Sequence, residues 1–449
     1  MSVDFLLRTL RDHADQDAVI WQDNTYSYRW LLDRIDYWRI ALRQNEIAAG
    51  TVVILEADFS PNAIALFLAL VESACILVPL TPAVGAKRDE FVQIAEGEAC
   101  ITLDEHDHAD ITRLGRVASH DLLAKLRLLN HAGLILFSSG STGQSKAALH
   151  DMVFLLEKFE VPRHRLRTIS FLLYDHIGGI NTMLYTLRNG GCLVTVRDRS
   201  PDSVLSTIDS YRVELLPTSP TFINLILISE AYKRYQLDSL QTLTYGTELM
   251  PESTLRRFHQ LFPRIRLVQT YGLSEVGILR SKSKSADSLW VKVGGEGFET
   301  RVIDGILHVR AMSAMLGYLN APSPFTEDGW MNTGDRVEVD GEYVRFLGRQ
   351  SEIINVGGEK VYPAEVESVI QELDNVAEVT VFGEKNPITG NIVCSVVTLA
   401  RDEDHRSFVK RLKKFCGERL QNYKVPVKVF ISNEELHSAR FKKVRNFDA

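Results

Sequence analysis

Cysteine is scarce in this chain and never closely paired: Cys75, Cys100, Cys192, Cys394 and Cys416 are the only five in 449 residues, with no Cys-x-x-Cys. A zinc or disulfide framework is therefore not expected. Long uninterrupted apolar runs are also missing. The most hydrophobic region, Ala63 to Leu80, contains Glu72 and Pro79, so it reads as a buried helix and a strand, and no membrane span is expected. Positive charge is not in excess; the net charge of -7 argues against nucleic acid as a partner of the whole molecule. Charge enters at Asp4 and Arg8, too early for a signal peptide, so a cytoplasmic setting is expected. His106 and His108, in the charged stretch 105–110, read as solvated surface before they read as metal ligands. What remains is an ordinary globular balance, 45% apolar and 24% charged, over a length that predicts two or three domains.

The densest cluster of small polar residues follows the apolar run Gly133 to Phe137: Ser138, Ser139, Gly140, Ser141, Thr142 and Gly143, then Lys146. Glycine lets backbone N–H groups turn toward an anion, and hydroxyls and a lysine add donors and charge. The spacing is not that of a Walker loop. On its own the stretch is either a phosphate cradle or a polar surface loop.

Strand and helix patterns alternate around it. Val52–Leu55, a helix capped by Ser60-Pro61, and Cys75–Leu80 read as a βαβ unit of a parallel sheet. Further strands are expected at 168–173, 192–196, 213–218, 243–248 and 266–271. Several end in small or hydroxyl residues, and His176 follows one of them, where parallel sheets place their sites. From about Trp290 short alternating segments with Asp304-Gly305 and Asp340-Gly341 turns predict an antiparallel β subdomain. The last part reads as a small α+β domain, with a helix from Pro363 and another through Phe408, Leu412, Phe415 and Leu420. Residues 406–445 hold twelve Lys/Arg against three acidic residues, a solvated face with a share available to phosphates or an acidic partner.

Five separated signatures then agree in order: Ser138 to Lys146, Tyr271-Gly272-Leu273-Ser274-Glu275, Thr333-Gly334-Asp335, Gly348-Arg349, and Gly357-Gly358-Glu359-Lys360-Val361-Tyr362-Pro363. Together they resemble the acyl-adenylate-forming superfamily of acyl-CoA synthetases, peptide-synthetase adenylation domains and luciferases. The resemblance implies an α/β fold: a large N-terminal domain of stacked βαβ sheets plus a β subdomain (1–348), a hinge (349–352) and a small mobile α+β domain (353–449). It implies that Ser138, Ser139, Gly140, Ser141, Thr142, Gly143 and Lys146 wrap ATP phosphates, with Ser274. Glu275 would hold Mg²⁺. Asp335 and Arg349 would take the ribose, Gly246 with the neighbouring Tyr245 and Thr247 would flank the adenine and the acyl pocket, and Tyr271 and Gly272 would belong to the ATP site. His176 would gate that pocket.

The same resemblance implies two steps, adenylation of a small-molecule carboxylic acid and then transfer to a thiol. The family's lysine falls on Lys443, with Lys442 in place of the usual glycine and as the alternative; Ala439 and Asn446 also depart from the family pattern. Ser351 would be the pivot that swaps this loop for the thiol-tunnel loop Gly357, Gly358 and Lys360. His176-Ile177 replaces the Phe-Asp pair of amino-acid-activating domains, so compact carboxylic-acid CoA ligases are the nearer likeness, while Asp175 keeps the amino acid question open. The acceptor is coenzyme A or the phosphopantetheine of an acyl carrier protein. A catalytically degenerate nucleotide- or acyl-binding module is the rival reading, motivated by Lys442, Asn446 and Ser351.

Overall fold

The computed structural model describes residues 3–139, 145–438 and 440–444, with the backbone alone at Ser139. Gly140, Ser141, Thr142, Gly143, Ala439 and Asn446 lie outside the described residues.

Two seven-stranded sheets carry the larger part of the chain. In the first, Arg266–Gln269, Thr242–Tyr245, Leu215–Thr218, Arg167–Ile169, Cys192–Val194 and Asp17–Trp21 run parallel, and Asn24–Ser27 closes one edge as a hairpin. In the second, Gly133–Ser139, Ile76–Leu80, Val52–Glu56 and Ala99–Leu103 run parallel, flanked by antiparallel Ser145–Asp151 and Ala109–Arg113. Between the sheets lies the helix Pro61–Glu72. Its residues Ala63 to Leu70 are all fully buried, as expected for a helix that is apolar on every face. Ser60 Oγ accepts from the Ala63 N–H at 3.0 Å, and Pro61 occupies the first turn, where its missing N–H costs nothing. One core joins this helix to Val19 and Leu193 of the first sheet and to Val53, Leu55 and Leu77 of the second.

The β subdomain is a six-stranded antiparallel sheet built on the hairpins Phe298–Ile303/Ile306–Ala311 and Met331–Asp340/Tyr343–Arg349. Their Asp-Gly turns sit where the sequence put them. The C-terminal part pairs Val376–Asn386 with Gly390–Leu399, adds Lys428–Ile431 in parallel, and packs the helices Pro363–Gln371 and His405–Gly417 into a separate core.

One expected strand is shorter than its apolar run. The strand expected over 168–173 stops at Ile169, because Cys192–Val194 pairs with it only as far as Ile169 and Leu215–Thr218 only at Thr168, and the chain then turns into the helix Ile177–Arg188. The two strands that flank the Ser/Gly stretch, Gly133–Ser139 and Ser145–Asp151, are antiparallel neighbours.

The turn that leads into the helix Ile177–Arg188 leaves no room for a side chain at Gly179. A Cβ on Gly179 would stand 2.0 Å from the Leu173 carbonyl oxygen. Gly179→Ala should therefore destabilise the protein by roughly 1–3 kcal/mol, seen as earlier thermal melting. Gly417→Ala is the control: nothing lies within 4 Å of its Cβ position, and that variant should melt at or above the wild-type temperature.

Candidate functional site

The carboxyl ends of the first sheet's parallel strands open into a cleft of about 610 Å³, the position ligands take in sheets of this kind. Thr218 and Thr270 stand at or just past these strand ends, and Gly246 follows Tyr245. A side chain at Gly246 would meet Thr270 Oγ1 at 2.6 Å, so the cleft floor depends on its absence.

At one end stands Asp335, 8% exposed. Tyr271 donates its hydroxyl to Oδ2 at 2.6 Å, and Arg349 Nε pairs with Oδ1 at 2.7 Å. The two carboxylate partners come from motifs far apart in sequence, but Asp335 and Arg349 are direct cross-strand neighbours. Arg349 also donates to the Thr333 carbonyl at 3.1 Å, and the Tyr271 ring stacks on Phe346 with centroids 4.6 Å apart. Burial raises the carboxyl pKa of Asp335, while Arg349 and the Tyr271 hydroxyl act to lower it. A carboxylate offers about four lone-pair sites, so a diol could share these oxygens with their protein donors.

At the other end Ser138, Lys146, Ser274 and Glu275 line the cleft. Ser138 and Lys146 are register partners on the two strands that flank the Ser/Gly stretch. Tyr318 donates its hydroxyl to Glu275 Oε1, and Lys146 Nζ stands 5.2 Å from the Tyr318 ring centre. Beneath them His150 holds the Ser274 carbonyl at 2.6 Å. Burial brings the His150 pKa down to about 4, so the ring is neutral and Nε2 carries the proton it donates. Among the described residues no cluster of three His, Cys, Asp or Glu side chains could hold a metal by itself. One carboxylate, Glu275, beside hydroxyl and ammonium groups is nonetheless a donor set that suits Mg²⁺, a cation that takes most of its other ligands from water and phosphate.

His176 lines the middle of the cleft and caps the helix Ile177–Arg188, its Nδ1 accepting from the Gly178 N–H at 3.0 Å. Burial, together with the positive charges of Lys442 and Arg440, holds its pKa well below the usual imidazole range. The ring is neutral, with Nε2–H left to donate.

The C-terminal hairpin reaches across the same opening. Arg440 donates to Asp175 Oδ2 at 2.9 Å, and Thr81 shares that oxygen at 3.0 Å. Phe441 packs on Phe171 and Phe222, with centroids 5.1 and 5.3 Å away. Lys442 and Arg440 line the cleft. Lys443, the residue on the family's lysine position, is not among the cleft-lining residues; its Nζ pairs with Glu367 at 2.9 Å and its N–H donates to Glu248 at 3.1 Å.

The expected residues thus divide into two groups. Ser138, Lys146, His176, Gly246, Thr247, Gly272, Ser274, Glu275, Arg349 and Ser351 all line the cleft, and Tyr271 and Asp335 line a pocket that shares Thr247, Gly272 and Arg349 with it. Gly357 and Gly358 form the turn between Ile354–Val356 and Glu359–Val361, and neither they nor Lys360 reach it. His150, Tyr318 and Arg440 were not singled out from the sequence. His150 closes the stretch that begins with the Ser/Gly loop, but Tyr318 sits in the two-residue edge strand Gly317–Tyr318 and Arg440 in a basic segment, so neither carries a local signal.

Matches to known proteins cover both the large N-terminal part and the C-terminal part of the chain. The family model described as AMP-binding enzyme matches residues 6–298, and that for the AMP-binding enzyme C-terminal domain matches residues 365–443. An indoleacetate–CoA ligase of Aromatoleum aromaticum is 29% identical over 342 residues, 70% of this chain and 66% of the relative. For the next two relatives the matched share falls to 60% and 50% of their length, so the alignments span about half to two thirds of these proteins. A feruloyl-CoA synthase of an Amycolatopsis species is 26% identical over 466 residues, covering 94% of this chain and 93% of its own. Among solved structures, an anthranilate CoA ligase in complex with anthranoyl-AMP superposes with a TM-score of 0.81 at 19% identity, over 98% of this chain and 95% of that one; this likeness speaks for the fold.

If the Asp335 end takes a ribose, as the family resemblance implies, its carboxylate provides a direct test. Asp335→Asn keeps the shape and removes the charge, so AMP binding measured by calorimetry should weaken about 10–100-fold, the worth of a hydrogen bond to a charged acceptor. Thermal stability should change little, since the variant also relieves a buried charge.

Proposed function

The chain belongs to the AMP-binding enzyme family, and from that footing we propose that it activates a carboxylic acid with ATP and passes the acyl group to a thiol. The observation that carries this reading is the convergence on one opening of a ribose-type carboxylate, Asp335, a phosphate-type group, Lys146 with Ser274 and Glu275, and lysine and arginine from the C-terminal hairpin. In the first step a carboxylate oxygen attacks the α-phosphorus of ATP, the bond to the β-phosphate breaks, and pyrophosphate leaves. Charge spreads over the phosphoryl oxygens, so the protein's part is to position the reactants and to present cations. Mg²⁺ held by Glu275 would neutralise phosphate charge. Asp335, Arg349 and Tyr271 fix the adenosine, Ser138 and Lys146 face the phosphates, and neutral His176 stands between them at the acid. In the second step a thiolate attacks the adenylate carbonyl and AMP departs; turning about Ser351 would bring Gly357, Gly358 and Lys360 to the thiol.

Coenzyme A is the proposed acceptor, in keeping with the names of the relatives, and an acyl carrier protein is the alternative. Among the described residues no helix is long and apolar enough to cross a membrane, and we place the reaction in the cytoplasm. For the acid, Asp175 is not among the cleft-lining residues, and its Oδ2 accepts from Arg440 and Thr81 while among the described residues Oδ1 has no partner; its position outside the cleft supports a substrate without an α-amino group. Asn181 and Thr218, which line the cleft, each bury a side-chain oxygen that has no partner. Since a buried polar atom gains from being paired, we propose an acid of modest size that bears a hydrogen-bonding substituent.

The test is ATP–pyrophosphate exchange over a panel of plain and hydroxyl- or amino-substituted aryl acids, short and medium aliphatic acids and amino acids. Exchange should be fastest with the substituted aryl acids. Exchange with no acid at all would leave an inert binding module, and preference for an unsubstituted aliphatic chain would contradict the acid assignment.

A further inference from the structure

We propose that Lys442, one residue before the family's lysine position, is the cation that meets the reacting anion during adenylation, and that Lys443 is the anchor that seats it. This rests on the adenylation reading above and assigns a residue within it. The hairpin closes with a His437–Lys443 bridge and a Ser438 N–H to Lys442 carbonyl bond of 2.9 Å. Phe441 adopts φ +50, a left-handed turn in the place where the chain bends back. Successive side chains then face opposite ways. Lys443 turns toward Glu367, whose side chain is 3% exposed, so its charge is spent on a buried carboxylate. Lys442 turns into the cleft beside His176 and Arg440, and among the described residues nothing accepts a hydrogen bond from its Nζ.

Three contacts hold this register. Arg440 is tied to Asp175 and the Lys443 N–H to Glu248; Glu248 itself accepts from the Thr221 N–H at 2.7 Å. The Phe441 ring fills the space between Phe171 and Phe222. Slipping the hairpin by one residue to bring Lys443 inward would leave Glu367 buried without this cation and place Lys442 against it. The family's glycine is absent at 442, so the side chain that occupies its place has to go somewhere, and the open direction is the cleft.

The environment fits the role. Arg440, Glu248, Arg349, His176 and, behind Arg440, Asp175 are the titratable or charged groups around Lys442. Burial foremost, with Arg440 and Arg349 adding repulsion against the attraction of Glu248, brings its pKa down to about 8. The ammonium is charged below that pH and loses its charge as pH rises through it. Lys442 transfers no proton; it offsets the negative charge that accumulates as the carboxylate–phosphorus bond forms and the bond to pyrophosphate breaks.

The experiment compares wild type with Lys442→Gln, Lys442→Arg and Lys443→Arg in two assays: pyrophosphate exchange with the best acid of the panel, and thioester formation from supplied acyl-adenylate and coenzyme A. Lys442→Gln should lose about 100–1,000-fold in exchange, the loss seen when one preorganised charge-stabilising group is removed, and stay within about tenfold in the second assay. Lys443→Arg can still pair with Glu367 and should keep exchange within about tenfold. In wild type, kcat/KM for exchange should fall as pH rises past about 8; in Lys442→Arg, whatever its rate, that limb should vanish because guanidinium does not titrate there. Loss of exchange by Lys443→Arg equal to that of Lys442→Gln, or an unchanged alkaline limb in Lys442→Arg, would overturn the assignment while leaving the adenylation reading intact. A wild type that exchanges with no acid would overturn both.

Discussion

A carboxylate as enclosed as Asp175, 4% exposed, has to be met by a charge or strong donors, because an uncompensated buried charge costs several kcal/mol. Here the cation is Arg440, 265 residues further along the chain. That single requirement brings the C-terminal hairpin onto the mouth of the parallel sheet. The other contacts of the hairpin follow from it: Phe441 enters the apolar gap between Phe171 and Phe222, and Lys443 reaches both Glu248 and Glu367. The cleft is complete only in this arrangement, since without the hairpin it has Lys146 and Arg349 for cations and no lysine on the acid side.

Within the cleft, protonation states are sorted by burial. His150 and His176 are both held neutral, so each acts as a directed donor through Nε2 while its other nitrogen is left to accept. Positive charge is confined to lysine and arginine: Arg349 and Arg440 are held by Asp335 and Asp175, and Lys146 and Lys442 line the cleft beside them. A site of this kind binds polyanions without having to release protons first, which suits a reaction whose transition state differs from its ground state chiefly in where negative charge sits.

The sequence was informative where chemistry depends on residue type in a fixed order. Tyr271, Ser274 and Glu275 lie some sixty residues before Asp335 and Arg349, yet all five line the same opening or the pocket joined to it, because each lies at a strand end or hairpin. It was less informative where direction matters. Counting along the motif selects Lys443, but a left-handed residue at Phe441 decides which of two adjacent lysines faces inward, and nothing in the local composition reveals that turn. Tyr318 and His150 escaped notice for another reason: their roles come from tertiary contact with the 271–275 segment, not from their own surroundings in the chain. The antiparallel pairing behind the Ser/Gly stretch was hidden too, since an apolar run of five to seven residues gives no sign of its neighbour's direction.

The central claim is that the acid's own oxygen attacks the α-phosphorus of ATP in this cleft. Its most direct test is isotopic. Turnover of an acid labelled with ¹⁸O in both carboxylate oxygens, with ATP and coenzyme A, should yield AMP carrying one ¹⁸O by mass spectrometry, with pyrophosphate unlabelled. Unlabelled AMP, or ADP and phosphate as products, would contradict it.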